Sequence, residues 1–293
     1  MNREIYELKD PVMVIEDGEL GLSFNETIDS TALPKKIEPN AQIALGYAVR
    51  VHEDKNGHIL EAYLLKNAGG HEFQSGEYKL FYPDGKLKQV AYYLDGELHG
   101  PSTCYFADGK VSSCYWYLKG KRIGKARGYY RSNHPNFLLR FVDGAYSGIE
   151  EYFYDSGKIK TLMPYKKGHL HGTVELFRSN GKIVRACQFE HGRRKGFERV
   201  WSREGTMLVD SYFDGETPYG TARRWHSNGQ IGEEVLFHGS PNKYSIRQWS
   251  VDGELLREGI YHPNDTYTHR LYDNGKIKEE RRAHWNGKGL VWD

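Results

Sequence analysis

A chain of 293 residues with 41 Lys and Arg against 39 Asp and Glu carries a formal charge of +2, so no bulk field directs it to nucleic acid. Its 22 tyrosines and 33 glycines suit strands and turns rather than helices. No apolar leader opens it and no run reaches transmembrane length, and Cys104, Cys114 and Cys187 have no CxxC or zinc spacing, so a cytoplasmic protein with free thiols is expected.

In chain order, residues 1–46 do not repeat. Val12 to Leu22 reads as strand, Asp17-Gly18 turn, strand, and Asp29 to Asn40, with Pro34 and Pro39, as a loop. This segment is assigned as a β cap for the array that follows, because stacked repeats need an atypical end unit. From Tyr47 a damaged hairpin runs over Asn56-Gly57, and a loop insertion is expected around Ala68 to Phe73. The array, 47–293, has degenerate ends and regular units from Gly76 to about Phe237.

Two phrases alternate through it. The first is Phe81-Tyr82-Pro83-Asp84-Gly85-Lys86-Leu87, and its turn glycines recur at 85, 109, 157, 181, 205, 229 and 253, a register of 24 whose missing slot holds Asn133. Asp or Asn before Gly predicts a three-residue hairpin loop ending in a left-handed residue. Tyr82 then pairs with Lys86, and Phe81 with Leu87. Aromatic against aliphatic is a stabilising cross-strand pair. Asn133 fits the left-handed slot, though Pro135 stands at the aliphatic position and marks that turn as modified. The second phrase, Tyr93-Leu94-Asp95-Gly96 with Gly100, makes the return turn. Parity places Tyr93 on the face of Phe81 and Leu87. The pairing opposes Cys104 to Ser112, which leaves Cys104 and Cys114 badly placed for a disulfide. The fold class is therefore all-β: an elongated, twisted antiparallel meander of 24-residue hairpin repeats.

These phrases, carried by Phe81, Asp84, Gly85, Tyr93, Gly96, Gly100 and their equivalents, resemble MORN repeats in the bacterial variant form over about residues 47–293. The resemblance implies the meandering sheet. It also implies a choice of roles: scaffold, membrane-associated module, or antitoxin- or immunity-like partner of a toxin.

Catalytic patterns are absent: no GxSxG and no phosphate loop. His169 and His171, with His191 one unit on, could ligate a metal, but they read better as inherited turn residues, so no metal, cofactor or enzymatic role is expected. Two surfaces stand out. The position three before the turn glycine is aromatic in the first half, as Tyr82, Phe106, Tyr130 and Tyr154, and Arg178, Ser202, His226 and Ser250 in the second. With Trp116 on the same parity, these aromatics form the candidate surface for another protein, centred on Trp116 and Tyr130. The return turns carry a basic rim, Lys121, Arg122, Lys167, Arg193, Arg194 and Lys195, the basis of an alternative reading as a peripheral module on anionic membrane.

Overall fold

The computed structural model describes residues 46–287 and 289–293, together with the backbone of Ile5–Glu7, Val14–Glu16, Glu19–Gly21 and Lys35–Ile37. Val14–Glu16 pairs with Glu19–Gly21, the hairpin expected around Asp17-Gly18. The capping role given to residues 1–46 otherwise lies outside the described residues. The chain divides into two compact units, Met1–Lys158 and Ile159–Asp293.

Both units are antiparallel meanders, and no helix occurs among the described residues. In the first, Tyr47–Glu53, Ile59–Ala68, His71–Phe81, Leu87–Leu94, Gly100–Tyr105, Val111–Leu118, Lys121–Tyr129, Pro135–Val142 and Gly148–Phe153 follow one another in the sheet. In the second the same order runs from Ile159–Lys166 to Leu290–Trp292.

The hairpin turns take the expected form. Tyr82 N donates to Lys86 O at 2.8 Å and Gly85 N to Tyr82 O at 2.9 Å, with Gly85 at φ +80°. Asn133 adopts φ +72° and closes the same two bonds, so the turn expected to be modified is a regular one. Phe81 opposes Leu87, and the equivalent pairs Tyr105–Val111, Phe177–Ile183, Trp201–Met207, Trp225–Ile231 and Trp249–Leu255 hold. The return turns from Asp95-Gly96 (φ +48° and +87°) to His191-Gly192 are two-residue type I′ turns, with both central residues at positive φ.

Two expectations are corrected. The insertion near Ala68 is no loop: Gly69 and Gly70, both at positive φ, make a tight turn, and the additional residues pair as Ala68–His71, Asn67–Glu72 and Lys66–Phe73. The second correction concerns parity. Phe81 pairs with Leu87 but Leu80 pairs with Gln89, so one residue is skipped in a β-bulge, and the skip recurs beside the pairs at Tyr105, Tyr129, Phe177 and Trp201. A bulge moves all later residues to the other face. Tyr93 therefore faces away from Phe81 and packs on Tyr78, ring centroids 5.9 Å apart, while Tyr78 packs on Tyr63 at 6.3 Å. The same skip opposes Cys104 to Ser113 rather than Ser112.

The core is small. In the first unit Ala126, Leu139 and Phe141 are buried, with Tyr115, Phe137, Tyr146 and Tyr152 packed against them. Gly128 sits directly opposite Phe137, and a Cβ there would lie 2.1 Å from the ring, so only glycine leaves room for it.

Candidate functional site: an aromatic hollow in the first unit

One face of the first unit carries a hollow of about 400 Å³. Five rings line it, Phe106, Tyr115, Tyr129, Tyr130 and Phe137, with Ser112, Ser113, Arg131 and Asn136 between them and no carboxylate among the described residues. The strands Val111–Leu118 and Pro135–Val142 bring in Tyr115 and Phe137, which lie 6.1 Å apart by centroids. Two arginines lie over rings here. The Arg122 guanidinium is 4.8 Å from the Tyr115 centroid and 5.6 Å from Phe141, and Arg131 is 5.4 Å from Phe106. Burial pushes the Tyr115 phenol up, against the pull of Arg122.

The candidate residues separate in the structure. Phe106 and Tyr130 line the hollow. Trp116 does not: it follows Tyr115 on one strand and so points to the opposite face. The bulge after the turn is the reason, since it breaks the parity that grouped Trp116 with Tyr130. Tyr82 and Tyr130 also have structural duties. Each hydroxyl donates at 2.8 Å to a carbonyl one repeat further on, Tyr82 to Tyr105 O and Tyr130 to Phe153 O. His226 meets Trp249 O at 3.0 Å in the same way. Ser202 and Ser250 instead accept amide protons of their own turns. Two of the aromatics at this position, Tyr82 and Tyr130, are therefore used by the array itself. Tyr154 is half-buried at the same position of the next turn.

Three of the six residues of the basic rim, Lys121, Arg194 and Lys195, are paired with acids. Lys121 bonds Asp143 at 2.7 Å, and Lys195 bonds Glu190 at 2.8 Å and holds that carboxyl below its usual range. Arg194 bonds Glu198 at 2.7 Å and Glu216 at 2.9 Å and stacks on Phe213 at 3.9 Å. Arg122 turns inward to the hollow's rings. Lys167 occupies a left-handed turn position, and Arg193 borders a second hollow of about 680 Å³ in the other unit, over Val174, Cys187 and Phe189. His171 and His191 stack edge to face at 5.3 Å, and no group of three metal-ligating side chains occurs among the described residues.

Sequence reasoning missed Tyr115, Phe137 and Arg131. Their signal is the offset from the turn residue once the bulge is counted. It also missed a charge row on the second unit. Arg199, Asp210, Arg223, Glu234, Arg247, Glu258, Arg270 and Glu280 oppose one another in succession across eight neighbouring strands. Nε of Arg199, Arg223, Arg247 and Arg270 reaches the following acid at 3.0, 2.8, 2.9 and 2.7 Å. The first six members recur with the 24-residue period, so the row was legible as a repeat of Arg and acid.

The MORN repeat variant model matches residues 74–95 and 146–167, so the chain carries the repeat of that family. No curated protein matches it. Two solved structures are similar to it. One is a crystal structure of TcdB2-TccC3-TEV, with 12% identity, 96% of this chain and 17% of that chain covered, and a TM-score of 0.17. The other is the Photorhabdus luminescens Tc holotoxin pore with a TccC3 D651A mutation, with 11% identity, 91% and 15% covered, and a TM-score of 0.17. The chain thus spans about a sixth of the length of those chains. No helix among the described residues is long and apolar enough to cross a membrane.

Proposed function

We propose that this chain is a non-catalytic repeat module that binds another protein through the aromatic hollow of its first unit. The observation that carries this is the lining: five rings, two arginines over rings at its edge, and no carboxylate among the described residues. Large rings in a recess are the usual anchors of protein interfaces. The free thiols of Cys104, Cys114 and Cys187 support action in a reducing compartment, the cytoplasm. Arranging a complex and neutralising a toxin are the two roles that such binding would serve.

The test is capture of partners from the native host by wild-type protein, by a folded Phe106→Ala/Arg131→Ala variant, and by Trp116→Ala on the opposite face. The first variant should weaken capture by about 30-fold or more, as for a hot spot of about 2 kcal/mol. Trp116→Ala should capture as wild type does. Retention by the first variant, or loss by the second, overturns the assignment. A membrane-surface role for the rim is the weaker reading, because Asp143, Glu190, Glu198 and Glu216 already pair with three of its six basic residues. Co-sedimentation with anionic vesicles that is lost in Lys167→Ala/Arg193→Ala would favour it.

A further inference from the structure

The second unit concentrates positive charge in its first two repeats. Residues 159–206 hold eleven Lys and Arg against four Asp and Glu, a net +7, whereas residues 207–293 hold eleven against thirteen, a net −2. Four acids cannot neutralise eleven bases, so these two repeats carry a positive field. The hollow of about 680 Å³ lies mainly on their strands, bordered on one side by the turn of Asp214, Gly215 and Glu216.

The floor of this hollow is apolar. Val174 opposes Cys187 across the strands Gly172–Phe177 and Ile183–Glu190, and both are buried. Leu176 beside them is 37% exposed, and Phe189 is half-buried. One side is cationic. Arg185, opposite Leu176, and Arg194, opposite Phe189, stand at the two ends of the floor and both pair with Glu198 between them. A guanidinium has more N–H donors than one shared carboxylate uses. Arg194 lies 3.9 Å from the Phe213 centroid, and another of its donors goes to Glu216 at 2.9 Å. The Glu216 side chain is 91% exposed, and ion pairs so open to water are weak. Glu216 therefore holds the place of a carboxylate that a ligand can supply.

We propose that this hollow docks an acidic, apolar peptide segment of another protein. Leucine or phenylalanine side chains of that segment lie on Val174, Leu176 and Phe189, and one of its carboxylates replaces Glu216 on Arg194. Charge alone would suit an anionic membrane as well. A membrane surface meets projecting residues, however, whereas an apolar floor set in a recess takes a side chain. A second copy is a poorer occupant, because it brings the same positive field. Every residue named belongs to the second unit, so the site needs nothing of the aromatic hollow in the first.

The probe is a fluorescent synthetic peptide of alternating glutamate and leucine, titrated with the full chain and read by anisotropy. It should bind, and a glutamate-only peptide of the same length should bind at least about tenfold more weakly. Leu176→Ser and Arg185→Gln, each checked for intact β circular dichroism, should each weaken binding by about tenfold. Glu216→Gln, a change at an exposed side chain that spares the fold, should strengthen it by about threefold or more, because it frees a donor of Arg194. Phe106→Ala/Arg131→Ala in the first unit should leave it unchanged. Absence of binding, equal binding of the glutamate-only peptide, indifference to both Leu176→Ser and Arg185→Gln, or no gain from Glu216→Gln overturns the proposal. Loss in Phe106→Ala/Arg131→Ala does so too, since it would put the peptide in the first unit. Co-sedimentation with phosphatidylserine vesicles that the peptide does not compete away would assign the charge to lipid and overturn it as well.

Discussion

The Tyr130 hydroxyl donates to the carbonyl of Phe153, 2.8 Å away and 23 residues on, and Tyr82 does the same to Tyr105. These bonds tie one hairpin to the next along the turn edge. On the other edge Gly96 N donates to Gln74 O and Gly120 N to Leu98 O, each at 2.8 Å. The repeats of Tyr82 and Tyr130 are thus fastened to their neighbours at both ends of their strands. Tyr130→Phe keeps the ring and removes the donor, leaving a carbonyl short of one bond. It should lower stability by about 1 kcal/mol in urea unfolding and leave partner capture unchanged. A loss of capture without a loss of stability would show that the hydroxyl belongs to the interface instead.

Gly128 and Phe137 make a sharper case. A Cβ at 128 would meet the Phe137 ring at 2.1–2.5 Å. Gly128→Ala should destabilise by about 1–3 kcal/mol through overpacking. Adding Phe137→Leu should recover part of that loss, a negative coupling that separate contributions would not give.

The charge row of the second unit predicts acid sensitivity. Burial works to raise Glu258, but hydrogen bonds and charge from Arg247, with Tyr272 and Arg270, outweigh it and leave the carboxyl lowered. Arg270 likewise holds Glu280 down. A carboxyl lowered in the folded state adds stability above its unfolded value of 4.5, and that stability is lost as the pH falls through the lower folded value. The second unit should therefore weaken below about pH 4.5. Arg247→Ala, which leaves the buried Glu258 with fewer partners, should cost about 1–2 kcal/mol at pH 7 and less at pH 3. Equal losses at both values would exclude an electrostatic role for the row.

Glu150 predicts the opposite sign. Its side chain is 1% exposed beside the aromatic core, and burial raises its carboxyl, with the Tyr152 hydroxyl at 3.3 Å working against that. An acid raised on folding destabilises the ionised protein above its folded value, and the penalty fades as the pH falls toward the unfolded 4.5. Glu150→Gln should stabilise the first unit by on the order of 1 kcal/mol at pH 7 and have little effect near pH 4. Destabilisation at pH 7 would mean that the charge is held by a partner.

The three thiols should be unbonded and differ in reach. Cys104 opposes Ser113 and Cys114 opposes Thr103, so the two sulfurs leave opposite faces. Burial raises the thiols of Cys114 and Cys187. Native labelling at pH 8 should modify Cys104 first and Cys187, 5% exposed, slowest. A bond between 104 and 114 in unreduced protein would contradict the register.

Local chemistry fixed a great deal in advance. A left-handed residue every 24 positions can only be a turn, and Asn133 at φ +72° filled the vacant slot for the reason glycine fills the others. The pairs from Phe81–Leu87 to Trp249–Leu255 follow, because a three-residue loop sets which residues oppose one another. What followed from the turn alone was legible. The two faces were not. One skipped residue after each turn reverses parity for the rest of the strand, and no special side chain marks it: the residue skipped is Lys88 in one unit and Ser112 in the next. That skip sent Trp116 to the far face and brought Tyr115 and Phe137 to Tyr130. The latches of Tyr82 and Tyr130 and the row from Arg199 to Glu280 likewise join residues on different strands. Only the folded sheet, which sets those strands side by side, could decide which charges and hydroxyls meet.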